Sequence, residues 1–300
     1  MKKNRLGKSD LFVGEIGLGC MSLGTEEAKA TSIIHEALER GVTLLDTADL
    51  YDGGRNEELV GKAIKGRRGD VVLATKVGNR RIPGQDGWVW DPSKEYILSA
   101  VKESLQRLGT DYIDLYQLHG GTIDDPIDET IEAFEQLKRV GVIREYGISS
   151  IRPNVIREYA SRSSIVSVMN PYSIVDRRAE EAVLPLLEEK GISVIARGPL
   201  ASGALAANRK PAKGVTDYEL AELEALRGRL ERLTFDDRNL TRLALRYPLA
   251  HPAVAAVIPG ASSREQLLQN LAAAEVPALT DEELRTIRSF SKANKYAQHR

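Results

Sequence analysis

Short apolar runs alternate along the chain with stretches in which apolar residues recur every three or four positions. The runs are Ile16 to Cys20, Val42 to Leu45, Val71 to Ala74, Ile113 to Leu118, Ile165 to Met169, Ile192 to Ala196 and Ala255 to Ile258, with a weaker one at Tyr146 to Ile148. Between them, Ala30, Ile33, Ile34, Ala37 and Leu38 mark one helical face, and similar spacing follows in Ile97, Val101, Leu105, Leu108 and in Ile127, Ile131, Phe134, Leu137. Val183, Leu186, Leu187 and Leu267, Leu268, Leu271 continue the series. Near-continuous apolar strands alternating with amphipathic helices predict a parallel sheet covered on both faces. About eight such units favour closure into a (β/α)8 TIM barrel.

Local signals add detail. Leu6 to Val13 holds two apolar pieces around turn-forming residues, which predicts an N-terminal β-hairpin. Thr25, Glu26 and Glu27 suit a helix start, and Gly41, Gly69, Gly109, Gly141 and Gly191 stand where a helix ends before a strand. Thr216 to Glu219 and Thr280 to Glu283 read as capping boxes opening two additional helices. The connections Val77 to Pro92, with Trp88 and Trp90, and Arg197 to Val215 are long enough to be functional loops. An open doubly wound sheet is the competing architecture, but Gly17-Leu18-Gly19-Cys20-Met21-Ser22 lacks the third glycine of a dinucleotide fingerprint.

Composition narrows the function. The 300 residues are 42% hydrophobic and 28% charged, without a linker-like stretch, so one domain over 1–300 is expected. A net charge of −1 argues against a nucleic-acid partner. Cys20 is the single cysteine, which excludes an internal disulfide or a cysteine-rich metal site. The basic start Met1 to Arg5 lacks the apolar stretch of a signal peptide, and no run suits a membrane span, so a cytoplasmic protein is expected.

Reactive groups in such a barrel come from the C-terminal ends of several strands. Asp46 and Tyr51 follow the second run, Lys76 the third and His119 the fourth. Each alone also fits a bland role as a cap, a packing residue or a solvated charge. Together they suit proton exchange at a carbonyl oxygen. An ammonium beside a tyrosine favours the phenolate, a carboxylate keeps the lysine charged, and an imidazole donor polarises the substrate oxygen. No nucleophile-base pair or metal-ligand spacing accompanies them, so the reducing equivalent must come from a cofactor.

The segments Gly41 to Tyr51 with Gly53 to Gly61, Val71 to Lys76, and Arg107 to His119 resemble the signatures of the aldo-keto reductase family. The resemblance covers nearly the whole chain. It implies NADPH (NADP+), with NADH less favoured, lying extended across the barrel mouth. Tyr51 is then the general acid, Lys76 and Asp46 its tuning pair, and His119 the group that orients an aldehyde or ketone. Cofactor contacts are implied at Gly19, Cys20, Met21 and Asp46. Ser149, Met169 and Asn170 stand at the carboxamide grip, where Ser150 and Met169 depart from the family's usual asparagine and glutamine. Tyr172 is implied to stack on the nicotinamide, and Arg197, Gly198, Pro199, Leu200, Ser202, Gly203 and Leu205 to cover the pyrophosphate. Gly260, Ser262, Arg264, Gln266 and Asn270 resemble the adenosine end, with Ser262 and Arg264 facing a 2′-phosphate. Two other classes compete: an NADP(H)-binding regulatory protein with little turnover, and a lyase using Lys76 as a Schiff-base amine. The sequence fixes neither the substrate nor the oligomeric state.

Overall fold

The computed structural model describes residues 1–82, 84, 87–234 and 238–300. Eight parallel strands run in the order β1 (Leu18–Gly19), β2 (Leu44–Asp46), β3 (Val72–Val77), β4 (Ile113–Leu118), β5 (Ile143–Ser149), β6 (Ser167–Pro171), β7 (Ser193–Arg197) and β8 (Val254–Ile258). The ring closes between first and last through parallel bridges, Ile16 to Val257 and Gly19 to Gly260. This is the expected (β/α)8 barrel.

The helices are α1 (Glu27–Glu39), α2 (Arg55–Ala63), α3 (Lys94–Leu108), α4 (Ile127–Arg139), α5 (Pro153–Arg162), α6 (Val183–Lys190), α7 (Leu220–Glu231), α8 (Leu240–Leu249), α9 (Arg264–Leu271) and α10 (Asp281–Phe290). Their apolar faces pack outside the barrel wall; inside it, Leu44, Val72, Ala74, Leu115, Met169, Ile195 and Ala256 form a second cluster. The hairpin of Lys3–Arg5 and Phe12–Gly14 adds Leu6, Leu11 and Val13 to that inner cluster and so stops the barrel's N-terminal end. Every strand therefore points its C-terminal end at one open mouth.

Several local expectations shift. The weak run at Tyr146 extends to a seven-residue strand, and α2, α5 and α8 are helices that the spacing analysis left out. Thr25 does not cap α1, whose N-cap is Glu26 without a side-chain bond. The capping box of α7 belongs to Glu219 and Glu222 rather than to Thr216, whereas Thr280 and Glu283 form the expected one on α10. Gly66, not Gly69, takes the left-handed turn before β3. The Val77 to Pro92 loop carries an antiparallel ribbon, Asn79–Arg80 with Val89–Trp90, while its positions 83, 85 and 86 lie outside the described residues.

Candidate active site

Three strands deliver the reactive side chains. Asp46 ends β2 in register with Ala74 of β3, and Lys76 lies opposite Gln117 of β4. Lys76 is wholly buried, and its ammonium donates to Asp46 Oδ2 at 2.8 Å, to the Thr47 carbonyl at 2.7 Å and to the Tyr51 hydroxyl at 3.1 Å. The His119 ring meets Tyr51 edge-on, with centroids 5.9 Å apart. The structure thus brings all four residues expected from the sequence into one group.

Backbone geometry presents Tyr51. It opens a 3-10 turn, Tyr51–Gly54, in which Asp52, Gly53 and Gly54 are all left-handed. Asp52 has φ of 49°, an uncommon state for a non-glycine residue and one that clusters at functional sites. Behind the turn, Glu57 of α2 is fully buried and accepts from Thr75 Oγ1 and Arg107 Nε, both at 2.6 Å. Asn56 bridges the Thr47 hydroxyl and the Cys20 carbonyl. These bonds tie the tyrosine turn to β1, β2, β3 and α3.

Electrostatics sharpen the roles. Burial works to lower the Lys76 value, but the Asp46 carboxylate and Tyr51 outweigh it, so the lysine stays charged. Burial pushes Asp46 up, with Lys76 and Gln117 pulling against it. The tyrosine departs from expectation. Burial raises Tyr51 above its ordinary value and outweighs the Lys76 cation, so the hydroxyl is held as a neutral acid. His119 falls to about 3 through burial and the cations Lys76 and Arg197, leaving a neutral imidazole near neutral pH. Its Nδ1 is buried without a partner among the described residues.

Two residues that the sequence reading passed over belong to the site. Gln117 approaches Asp46 Oδ1 at 3.5 Å, and its place two residues before His119 on one strand face was a readable signal. Asp49, between Asp46 and Tyr51, is raised to about 7 by burial and by the Glu57 charge, and its Oδ1 has no partner among the described residues.

The expected cofactor residues divide into exposed and buried sets. Met21, Arg197, Gly198, Ser202, Gly260, Ser262, Arg264 and Gln266 are exposed; Gly19, Leu200 and Gly203 are partly so. Ala201 and Ser202 are left-handed at φ of 48° and 56°, as are Gly198 and Gly203. Turns of this kind can aim backbone amides at an anion, but the amides of Ala201, Gly203, Ala204 and Leu205 already donate to the Gly198, Leu200 and Ala201 carbonyls, so only the remaining amides of the segment could meet a pyrophosphate. Ser149 retains a hydroxyl without a hydrogen bond among the described residues. At the adenosine end, Ser262 N and Oγ meet Gln266 Oε1, Asn270 donates to the Gly260 carbonyl, and Arg264 pairs with Glu36 at 3.0 and 3.2 Å.

Cys20, Met169, Asn170, Pro199 and Leu205 are buried, which limits Cys20, Met169 and Leu205 to packing the wall of the site. Tyr172, expected to stack on the nicotinamide, is covered by its neighbours. It is 1% exposed, tilted against Tyr247, and donates its hydroxyl to Glu180 at 2.9 Å. Asn170 is likewise committed: Nδ2 donates to the Ser150 carbonyl and Oδ1 accepts from Tyr296. Among the described residues no cluster could hold a metal ion, and no helix is long and apolar enough to cross a membrane.

The chain matches the model of the Aldo/keto reductase family over residues 15–292. It is 58% identical to the uncharacterized oxidoreductase YqkF of Bacillus subtilis, covering 100% of both chains. Among solved structures it resembles the holo form of aldo-keto reductase AKR11C1 from Bacillus halodurans, at 60% identity and a TM-score of 0.96, covering 100% of this chain and 99% of that one. It also resembles an aldo/keto reductase from Klebsiella pneumoniae in complex with NADP and acetate, at 28% identity and a TM-score of 0.78 with 98% of both chains covered.

Proposed function

The chain belongs to the aldo/keto reductase family, and from that premise we propose that it reduces aldehyde or ketone carbonyls to alcohols with NADPH, using Tyr51 as the proton donor. The observation that carries this reading is the placement of one buried ammonium, Lys76, within hydrogen-bond reach of both Asp46 and the Tyr51 hydroxyl. Bound NADPH supplies the hydride. The protein's own part is proton delivery and orientation. Tyr51, kept protonated by burial, gives its proton to the carbonyl oxygen, and the adjacent Lys76 charge stabilises the phenolate left behind. Neutral His119, edge-on to Tyr51, donates a hydrogen bond that fixes and polarises the same oxygen.

The rim favours an apolar flank on the substrate. Met21, Trp88, Ile123 and Ile151, on the loops after β1, β3, β4 and β5, are all exposed large apolar residues. Trp90 is held by its Nε1 donating to Asp125 at 3.0 Å. Its ring fills the space above Gly78, where a Cβ would come within 2.6 Å of it. The preference for NADPH over NADH rests on Arg264, and the proposed setting is the cytoplasm. The test is Tyr51→Phe, assayed by loss of NADPH absorbance with a reactive aldehyde. Reduction is expected to fall by about 10²- to 10⁴-fold, the range for a lost general acid, with NADPH still bound; undiminished turnover refutes the assignment.

A further inference from the structure

The chain after α10 runs back over the mouth and is tied down at each step. Lys292 N donates to the Tyr218 hydroxyl, and its ammonium to the Asp217 carbonyl and Glu222. Asn294 spans Val175 and Arg177, donating to the carbonyl of the first at 3.1 Å and accepting from the amide of the second at 2.7 Å. The Asn154 amide donates to the His299 carbonyl at 2.9 Å. These partners lie on the loops after β6 and β7 and in the first turns of α5 and α7. In their midst Tyr296 is 6% exposed, with the Arg178 guanidinium 4.8 Å from its ring centre.

Tyr296 begins a short relay. Its hydroxyl donates to Asn170 Oδ1 at 3.2 Å, and Asn170 Nδ2 donates to the Ser150 carbonyl at 2.7 Å. The Ser150 amide donates to the Met169 carbonyl at 3.1 Å, so both backbone groups of Ser150 are fixed against β6. The Ser150 hydroxyl is used locally, accepting from the Arg152 amide. Among the described residues this leaves the Ser149 hydroxyl as the open polar group of the pair. The Ser150 carbonyl, which can only accept, settles which way the Asn170 amide faces, and this leaves Oδ1 to accept from the Tyr296 phenol.

Resting on the proposed reading of the site, we propose that Tyr296 is a positioning residue for the cofactor. Through Asn170 it locks the Ser149-Ser150 backbone so that the Ser149 hydroxyl meets the nicotinamide carboxamide, and the C-terminal strap thereby completes the binding site.

The test compares wild type with Tyr296→Phe and Asn170→Ala, with Lys295→Ala as a control that breaks only the exposed pair to Glu181. NADPH dissociation constants come from fluorescence titration, stability from urea denaturation, and KM for NADPH and for the aldehyde are measured separately. Loss of the relay bond is expected to weaken NADPH about three- to tenfold in Tyr296→Phe, and the rise falls on KM for NADPH rather than for the aldehyde. A variant carrying both Tyr296→Phe and Asn170→Ala binds no more weakly than Asn170→Ala alone, since both act through one chain. Wild-type affinity in Tyr296→Phe, equal rises in both KM values, or additive losses in the double variant each overturn the proposal. Absence of NADPH binding by the wild type overturns the functional reading itself.

Discussion

Replacing Asp46 with Asn keeps the shape of the side chain and removes one charge, which separates the ion pair from its packing. At the observed 2.8 Å between Lys76 Nζ and Asp46 Oδ2, an effective dielectric constant of about 20 gives a gross attraction of about 6 kcal/mol. Desolvation of two buried charges offsets much of it, but deleting one partner still costs about 3–5 kcal/mol, because the other is left uncompensated. Lys76 can escape part of that cost by losing its proton. In the wild type its value is raised, so the lysine's contribution to stability is fully present below the ordinary lysine range and is lost only as pH rises through the raised value, whereas the raised Asp46 value marks a carboxylate whose burial costs more than its partners return. In Asp46→Asn, burial acts with only Tyr51 and the Thr47 carbonyl against it, and the value drops. Tyr51 then faces a neutral amine at alkaline pH and regains a cation as pH falls. Single-turnover aldehyde reduction, followed by NADPH fluorescence from pH 6 to 9, should fall on the order of 100-fold at pH 8 and recover in part toward pH 6. The urea midpoint should fall as well. Turnover within threefold of wild type at pH 8, together with an unchanged midpoint, refutes the reasoning.

Asp49→Asn should stabilise the protein at pH 8. The Asp49 value of about 7 lies above the ordinary carboxylate range, so the folded state holds a proton that the unfolded state has released, and stability declines as pH rises from about 4 to 7. Urea denaturation at pH 5 and pH 8 should find the variant's gain, on the order of 2–4 kcal/mol, mainly at pH 8; a gain equal at both pH values contradicts it. Arg264→Ala should weaken NADPH about tenfold while leaving NADH unchanged in parallel titrations. Its pair with Glu36 lies at the surface, where ion pairs contribute little, so Glu36→Gln should tighten NADPH only slightly.

The barrel and the grouping of Asp46, Tyr51, Lys76 and His119 were legible because both rest on short-range pattern. Apolar runs mark the strands, and Asp46, Lys76 and His119 fall at the ends of three of them. What escaped depends on distant neighbours. The partners that cover Tyr172, Glu180 and Tyr247, carry no mark in the local pattern around it. Asn170 looked free, but its partner Tyr296 lies 126 positions away. The sign of the Tyr51 shift was missed because the lysine is visible in the sequence whereas the burial that outweighs it is not. For α5 the signal was present: Val155, Ile156, Tyr159 and Ala160 share one buried face.

The seam between β1 and β8 sets an order of events. Asp46, Tyr51, Lys76 and His119 all lie in the first half of the chain, yet the ring around them shuts only when Val257 and Gly260 reach Ile16 and Gly19. A chain emerging from the ribosome therefore carries these four side chains long before it has a barrel, and until then presents an unpaired sheet edge open to aggregation. Contacts at such separation form slowly. Because Gly19 and Gly260 are also expected to line the cofactor's path, a bound dinucleotide would act as a latch across the seam, and newly made protein should mature faster in its presence.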